Sequence, residues 1–284
     1  MKARALVLES PTKIEENPLK MKEIEISEPK DYEVLLKVSS CAVTRADLQI
    51  IEGELGTVNN IIPGHGIVGT VEKVGERVKG IKIGERVGAR WLYNSCGNYE
   101  YCLSGKENLC KNKNLTGFTK NGGYSEYMIA DSRYVFELPF DLKDQELSAF
   151  LSVGIIGYHA FKLANVSNAG TLALFGFGGS AQLTLQLAKK LGHKVIAISR
   201  NENHLNLARE LGADFTFSPK YGDVYSNLVD KNIDSAIVFA PSSAPIMNAL
   251  KVIKAGGRVV IVSLHIEGEI KLDYNLQLSN EKKI

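Results

Sequence analysis

The chain has 284 residues, enough for two domains or one large one, and its 44% hydrophobic and 23% charged fractions are those of an ordinary globular protein with a buried core. A net charge of +2 gives no footing for a nucleic-acid or anionic-membrane partner. The first residues lack a signal-peptide core and no run approaches the length of a membrane span, so the expected setting is the cytoplasm.

In chain order, the first predicted strand is the short strand-like run Met1–Leu8. Val34–Val38, Val68–Val74 and Tyr124–Ile129 follow as short strands, with turns at Gly75-Glu76, Gly84-Glu85 and Gly122-Gly123. This texture predicts a partly open β-barrel. Between these strands, Cys96, Cys102 and Cys110 are bunched in a way that resembles a metal loop more than a disulfide framework.

From Asp144 the pattern changes to apolar strands alternating with helices, which sets the expected domains at 1–143 and 144–284. The second domain reads as strands at Leu172–Phe175, Val195–Ile198, Phe215–Phe217, Ile237–Phe239 and Val259–Val262. Helices are expected at Gln182–Ala188, Asn203–Leu211 and Ile246–Ile253. Strands buried on both faces and joined by helices argue for a doubly wound parallel sheet, an α/β fold. A complete sheet of this type has six strands; the sixth is expected to be missing and the fifth left as an open edge able to pair with another chain.

The stretch Leu172–Ala181, LALFGFGGSA, places a glycine-rich turn between a strand and a helix. Gly176 permits the tight turn, Gly178 lets the backbone approach a diphosphate, and Ala181 permits close helix–strand packing. The backbone N–H groups and positive end of the helix would then meet the diphosphate. Gly176, Gly178, Gly179, Ser180 and Ala181 are accordingly candidate cofactor contacts.

Several signatures in one order carry a resemblance. They are Pro63-Gly64-His65 with Gly69, Val74-Gly75, Gly84–Gly88, Trp91-Leu92-Tyr93, the loop Cys96–Cys110, Thr116–Phe118, Gly122–Tyr124, Gly154–Tyr158 and Phe175–Ala181. Over nearly its whole length the chain resembles the zinc-containing alcohol dehydrogenases of the medium-chain dehydrogenase/reductase superfamily. The resemblance implies a GroES-like partly open barrel followed by a Rossmann domain, acting on a small-molecule substrate, with a homo-oligomer as the family's usual assembly.

In that family a catalytic zinc is held by Cys, His and Cys. The matching positions here are Thr44, His65 and Ser152, with Asp47 where the family orients the ligand histidine. Ala46 replaces the relay hydroxyl, Gln49 the relay histidine, and Gly66 the acidic residue after the ligand histidine. One imidazole and two alcohols are a poor zinc set at neutral pH, so catalytic zinc is not expected. Cys41 is the one thiol close enough in sequence to substitute. The family's four-cysteine structural zinc loop appears as Cys96, Tyr99, Cys102 and Cys110. A zinc on three thiolates plus a water stays open beside the favoured metal-free loop.

The second Rossmann strand ends in Ser199-Arg200 rather than in a carboxylate, which favours NADPH over NADH. By the resemblance, further cofactor contacts fall at Phe239 and Ser263, and Arg45 can meet either the diphosphate or a surface carboxylate. Trp91 and Tyr93 read equally as pocket or core aromatics, and His159, His193, His204 and His265 as surface, packing or loop residues. The expected function is zinc-free, NADPH-dependent hydride transfer to a carbonyl or activated double bond, with His65 polarising the substrate or donating its proton and Thr44 and Ser152 as its hydrogen-bonding partners. The alternative is a non-catalytic nucleotide-binding or regulatory descendant of the same family.

Overall fold

A computed structural model describes every residue but His265, and the backbone alone of Val224 and Tyr225. The chain divides into two compact units, Met1–Ser152 and Val153–Ile284.

The first unit holds strands β1 (Lys2–Leu8), β2 (Leu19–Glu25), β3 (Glu33–Cys41), β4 (Ile67–Val74), β5 (Arg86–Ala89), β6 (Leu92–Asn94), β7 (Asn114–Leu115), β8 (Tyr127–Asp131) and β9 (Val135–Glu137). Five of them form an antiparallel sheet in the order β8-β3-β4-β5-β9, with β1–β2 and β6–β7 as separate pairs, in keeping with the expected partly open barrel. The period-two alternation of β4 serves two cores. Ile67 and Val71 join Val34, Leu36, Val87 and Met128 on one side, while Val68 faces Leu138, Leu147 and Leu151 on the other. Burial of each such side chain contributes about 1.5–3 kcal/mol. Helix α1 (Arg45–Ile51), in the connection from β3 to β4, packs Ile50 and Ile51 on Leu8 of β1. A single turn, α2 (Glu100–Leu103), lies in the cysteine loop, and α3 (Asp144–Ala149) packs on β3 and β4.

From Asp144 to Ala164 the chain is helical throughout, running from α3 through a wide, π-type turn at Phe150–Gly154 into α4 (Ile155–Ala164). This run is long and apolar enough to cross a membrane by length and composition, which the sequence reading missed. Gly154, Gly157, Ser148 and Ser152 interrupt its apolar pattern and hide its length. Its buried positions belong to protein cores: Leu147 and Leu151 in the first unit, Ala160 and Ala164 in the second.

The second unit is a five-stranded parallel sheet of β10 (Thr171–Phe175), β11 (Lys194–Ile198), β12 (Phe215–Phe217), β13 (Ile233–Val238) and β14 (Ile253–Ile261), in the order β12-β11-β10-β13-β14. The order reverses direction at β10, the switch point beside which dinucleotides bind in such sheets. Helices α5 (Gly179–Lys190), α6 (Glu202–Glu210), α7 (Val224–Leu228) and α8 (Ser243–Val252) link the strands. On α5 the buried residues Ala181, Leu185 and Ala188 recur at helical spacing, giving one apolar face. At the start of β13, buried Asp234 accepts from Thr171 N (2.7 Å), Lys254 Nζ (2.5 Å) and Ser167 Oγ. Those donors more than offset the cost of burial and hold its carboxyl below the usual range.

The free edge of β14 is less open than expected. Lys283 forms a parallel bridge to Arg258, donating to Gly257 O (3.0 Å) and accepting from Val259 N (2.8 Å). The preceding wide turn Tyr274–Leu278 buries Gln277, which donates to Met247 O of α8.

Candidate active site

The expected site in the first unit is built around His65. Gly66, which follows it, has φ +74°, and a Cβ there would lie 2.7 Å from Ser148 O and 2.8 Å from Ser152 Cβ. Only glycine permits both that backbone and that approach. The chain thus turns His65 inward beside the wide turn carrying Ser152.

His65 Nδ1 lies 3.0 Å from Asp47 Oδ1, and His65 Nε2 lies 3.0 Å from Ser152 Oγ. Asp47 sits at the third position of α1, and its other oxygen accepts from Thr44 N (2.7 Å) and Thr44 Oγ1 (2.8 Å). A residue placed to cap its own helix therefore also orients the imidazole. Asp47, His65 and Ser152 are only 1%, 2% and 3% exposed, so these bonds lie in a low-dielectric setting. Trp91 packs its ring edge-on to His65 with centroids 4.8 Å apart, and stacks on Phe118 at 6.4 Å.

All four residues expected here, Thr44, Asp47, His65 and Ser152, are therefore brought together. Asp47 and Ser152 bond His65 directly, whereas Thr44 bonds Asp47 and not the imidazole. Trp91 stands beside the imidazole. Tyr93 is a core aromatic, 7% exposed, with burial pushing its hydroxyl pKa up. Gln49 donates to Glu54 at 2.9 Å and steadies the end of its own helix.

Zinc, which the resemblance implies at this place, meets a poor donor set. The two imidazole nitrogens face Asp47 and Ser152, and the other positions offer alcohols instead of thiolates. Cys41 stands nearby. Its sulfur is directed at the carbonyls of Ala42 (3.6 Å) and His65 (3.8 Å), and burial, with Asp47 nearby, pushes its thiol pKa up.

In the cysteine loop, Cys96 Sγ lies 3.8 Å from Cys102 Sγ and 3.5 Å from Cys110 Sγ, and the three sulfurs lie within 4.8 Å of one another. Hydrogen bonding from Ser95, then from the Gly97 backbone, draws the Cys102 thiol down to about 7. Three corners of a tetrahedral site fit zinc; Tyr99, in the fourth place, packs its ring on Tyr101.

In the second unit the glycine turn has the shape expected of it. Gly176 has φ +91°, and a Cβ there would lie 2.8 Å from Ala240 N. A Cβ at Gly178 would meet nothing within 4 Å, and no side chain caps the first turn of α5, where Gly179, Ser180 and Ala181 stand. Gly176 N donates to Ile198 O (2.8 Å), which ties the turn to the end of β11. Just beyond, Ser199 is buried and its hydroxyl accepts from Asn201 N, while Arg200 is exposed with no ion pair among the described residues. Phe239 N donates to Phe175 O (2.8 Å), placing Phe239 beside the same strand end. Val262 N donates to Val238 O (2.9 Å), so half-buried Ser263 follows at the end of the next strand. Arg45, in the first unit, is exposed at the start of α1 and likewise makes no ion pair among the described residues.

The other histidines take packing and surface places. His193 is buried against Phe161, His159 is exposed, His204 lies within α6, and His265 falls outside the described residues. A recess of about 460 Å³ opens at the opposite, amino ends of the parallel strands. It is lined by Asp234, Lys254, Lys194 and Lys231, away from the glycine turn, and we assign it no part in the chemistry.

Comparison with known proteins bears on both units. Residues 30–140 match the alcohol dehydrogenase GroES-like domain, and residues 179–284 match the zinc-binding dehydrogenase domain. An alcohol dehydrogenase of Geobacillus stearothermophilus is 36% identical over 251 residues, covering 87% of this chain and 74% of that protein. The crystal structure of a putative zinc-binding dehydrogenase from Sinorhizobium meliloti 1021, bound to NADP, superposes with a TM-score of 0.91 at 28% identity, covering all of this chain and 83% of that one. Acetophenone reductase from Geotrichum candidum, in complex with NAD, gives a TM-score of 0.86 at 28% identity over 99% of this chain and 81% of that one. Two domain matches in sequence order, a relative at this identity and the twofold architecture agree: the chain belongs to the alcohol dehydrogenase family and is an alcohol-dehydrogenase-like oxidoreductase of GroES-like and Rossmann-type domains.

Proposed function

We propose that this oxidoreductase uses NADPH to reduce a carbonyl or activated double bond of a small molecule, without catalytic zinc. The observation that carries the reading is the open glycine turn at Gly176–Ala181, joined through Gly176 N to the strand end that leads to Ser199 and Arg200. A strand end with a hydroxyl and an exposed guanidinium accommodates a 2′-phosphate, whereas a carboxylate there would repel it. The NADP in the Sinorhizobium meliloti relative supports this choice, and the NAD in the Geotrichum candidum reductase marks the competing one.

NADPH, when bound, supplies the hydride. This chain's residues supply the polar half of the reaction. His65 and Ser152 polarise the substrate oxygen and deliver its proton, while Asp47 orients the imidazole. Thr44, the expected second partner of His65, is directed at Asp47 instead and fixes that carboxylate. The cysteine loop takes no part in this reaction. Zinc analysis of purified protein is expected to find none at His65, with the three-thiolate loop the one place for a partly bound ion.

The test is a titration of purified protein with NADPH and NADH, followed by nicotinamide fluorescence. Saturable binding with NADPH preferred is the expected result. Absence of binding of either nucleotide by folded protein overturns the reading and leaves the non-catalytic alternative. Once a substrate is found, turnover unchanged in His65→Ala would remove His65 from the chemistry.

A further inference from the structure

The hydrogen-bond chain where the family resemblance places zinc has the makings of a different reaction. Ser152 Oγ, His65 Nε2, His65 Nδ1 and Asp47 Oδ1 follow one another through two contacts of 3.0 Å each. This is the order hydroxyl, imidazole, carboxylate that makes serine a nucleophile, a constellation defined by geometry and roles and found on unrelated folds. We propose that Ser152 is such a nucleophile, with His65 as its general base and Asp47 as the orienting carboxylate, and that the chain accepts acyl groups from small activated esters.

Three further features favour a reactive serine over an ordinary buried hydroxyl. Asp47 receives two hydrogen bonds from Thr44 on Oδ2, so Oδ1 is held toward His65. With Nδ1–H donated to that carboxylate, the Nε2 lone pair faces the serine hydroxyl, the tautomer that base catalysis needs. Ser152 also lies in the middle of the wide turn Phe150–Gly154, an irregularity found at functional sites more often than in plain helix. Gly66, finally, leaves the space in which the serine approaches the imidazole.

The step balances without any cofactor. Ser152 Oγ attacks the ester carbonyl carbon as its proton passes to His65 Nε2, and the carbonyl π pair moves to oxygen. Collapse of the tetrahedral adduct expels the alkoxide or phenoxide, which takes the proton from His65. Water then attacks acyl-Ser152 by the same route, giving a carboxylic acid and the free hydroxyl.

The test uses the full chain with p-nitrophenyl acetate, no nucleotide added, and in parallel a fluorophosphonate probe. The expected result is a burst of p-nitrophenolate approaching one equivalent per chain, with acetyl and phosphonyl groups mapped to Ser152 by peptide mass spectrometry. His65→Gln should slow labelling about a hundredfold or more. Ser152→Ala should abolish it, and Ser152→Cys should restore acylation at the same position. Circular dichroism and thermal melts establish that each variant is folded. Acylation confined to lysines or to Cys96, Cys102 and Cys110 overturns the proposal, and so does Ser152 labelling that His65→Gln leaves unchanged. Because no nucleotide is present, failure here leaves the NADPH reading intact, and failure of NADPH binding leaves this result intact.

Discussion

The glycine turn of the second unit and the His65 centre of the first are each built by close approach, yet they specify different things. At Gly176–Ala181 the proposed cofactor contacts are backbone N–H groups, so what matters is which positions lack a side chain. At His65 the proposed functional atoms belong to side chains, and the backbone gathers Thr44 and Ser152 into one network of hydrogen bonds with Asp47 and the imidazole. A backbone site fails when its geometry fails. A side-chain site can keep its geometry and be given another reaction.

The largest test of that contrast is to restore the thiolates. Thr44→Cys with Ser152→Cys should raise zinc affinity about a thousandfold or more, by the metal preference for thiolate over alcohol. Competition with a chromophoric chelator measures it; a double variant that binds zinc no better than the parent would mean that the first unit has lost its ligand geometry as well. Next in size, Asp47→Ala leaves the Thr44 amide, the Thr44 hydroxyl and His65 without their acceptor. A loss of about 3 kcal/mol is expected in urea unfolding, since several donors are orphaned at one deeply buried place.

Gly176→Ala places a Cβ at φ +91° and 2.8 Å from Ala240 N. About 2 kcal/mol of stability should be lost, together with nucleotide binding. Denaturant and NADPH titrations on the same sample separate the two; intact binding would show that the turn yields more easily than its geometry implies. The smallest effect falls on Arg200→Ala, which should weaken NADPH about tenfold while leaving NADH unchanged. Equal losses for both nucleotides would place Arg200 on a phosphate they share.

The parallel sheet was legible because its central strands are apolar runs, and Phe215–Phe217 is bounded as expected. Two strands begin earlier than their apolar signal. β13 starts at Ile233 because Asp234 is buried but satisfied by Lys254, Ser167 and Thr171, which no local pattern reveals. β14 starts at Ile253, where Ala255, Gly256 and Gly257 offer no hydrophobic periodicity to read. At the candidate site, Thr44, His65 and Ser152 were each marked by resemblance. The bonds joining His65 to partners 18 and 87 residues away depend on tertiary structure and leave no trace in spacing.

The wide turn at Phe150–Gly154 makes this part of the chain sensitive to counting. Such a turn is an α-helix carrying one residue too many, and each residue of an α-helix advances the winding by about 100°. Leu147, on one side of the offset, faces Val68 and Leu138, while Ser152, within it, faces His65. Losing a single residue between Ala149 and Ile155 would cancel the offset and move either the leucine anchor or the serine to the wrong azimuth. Mutations of length, more than mutations of identity, are what this segment can least absorb.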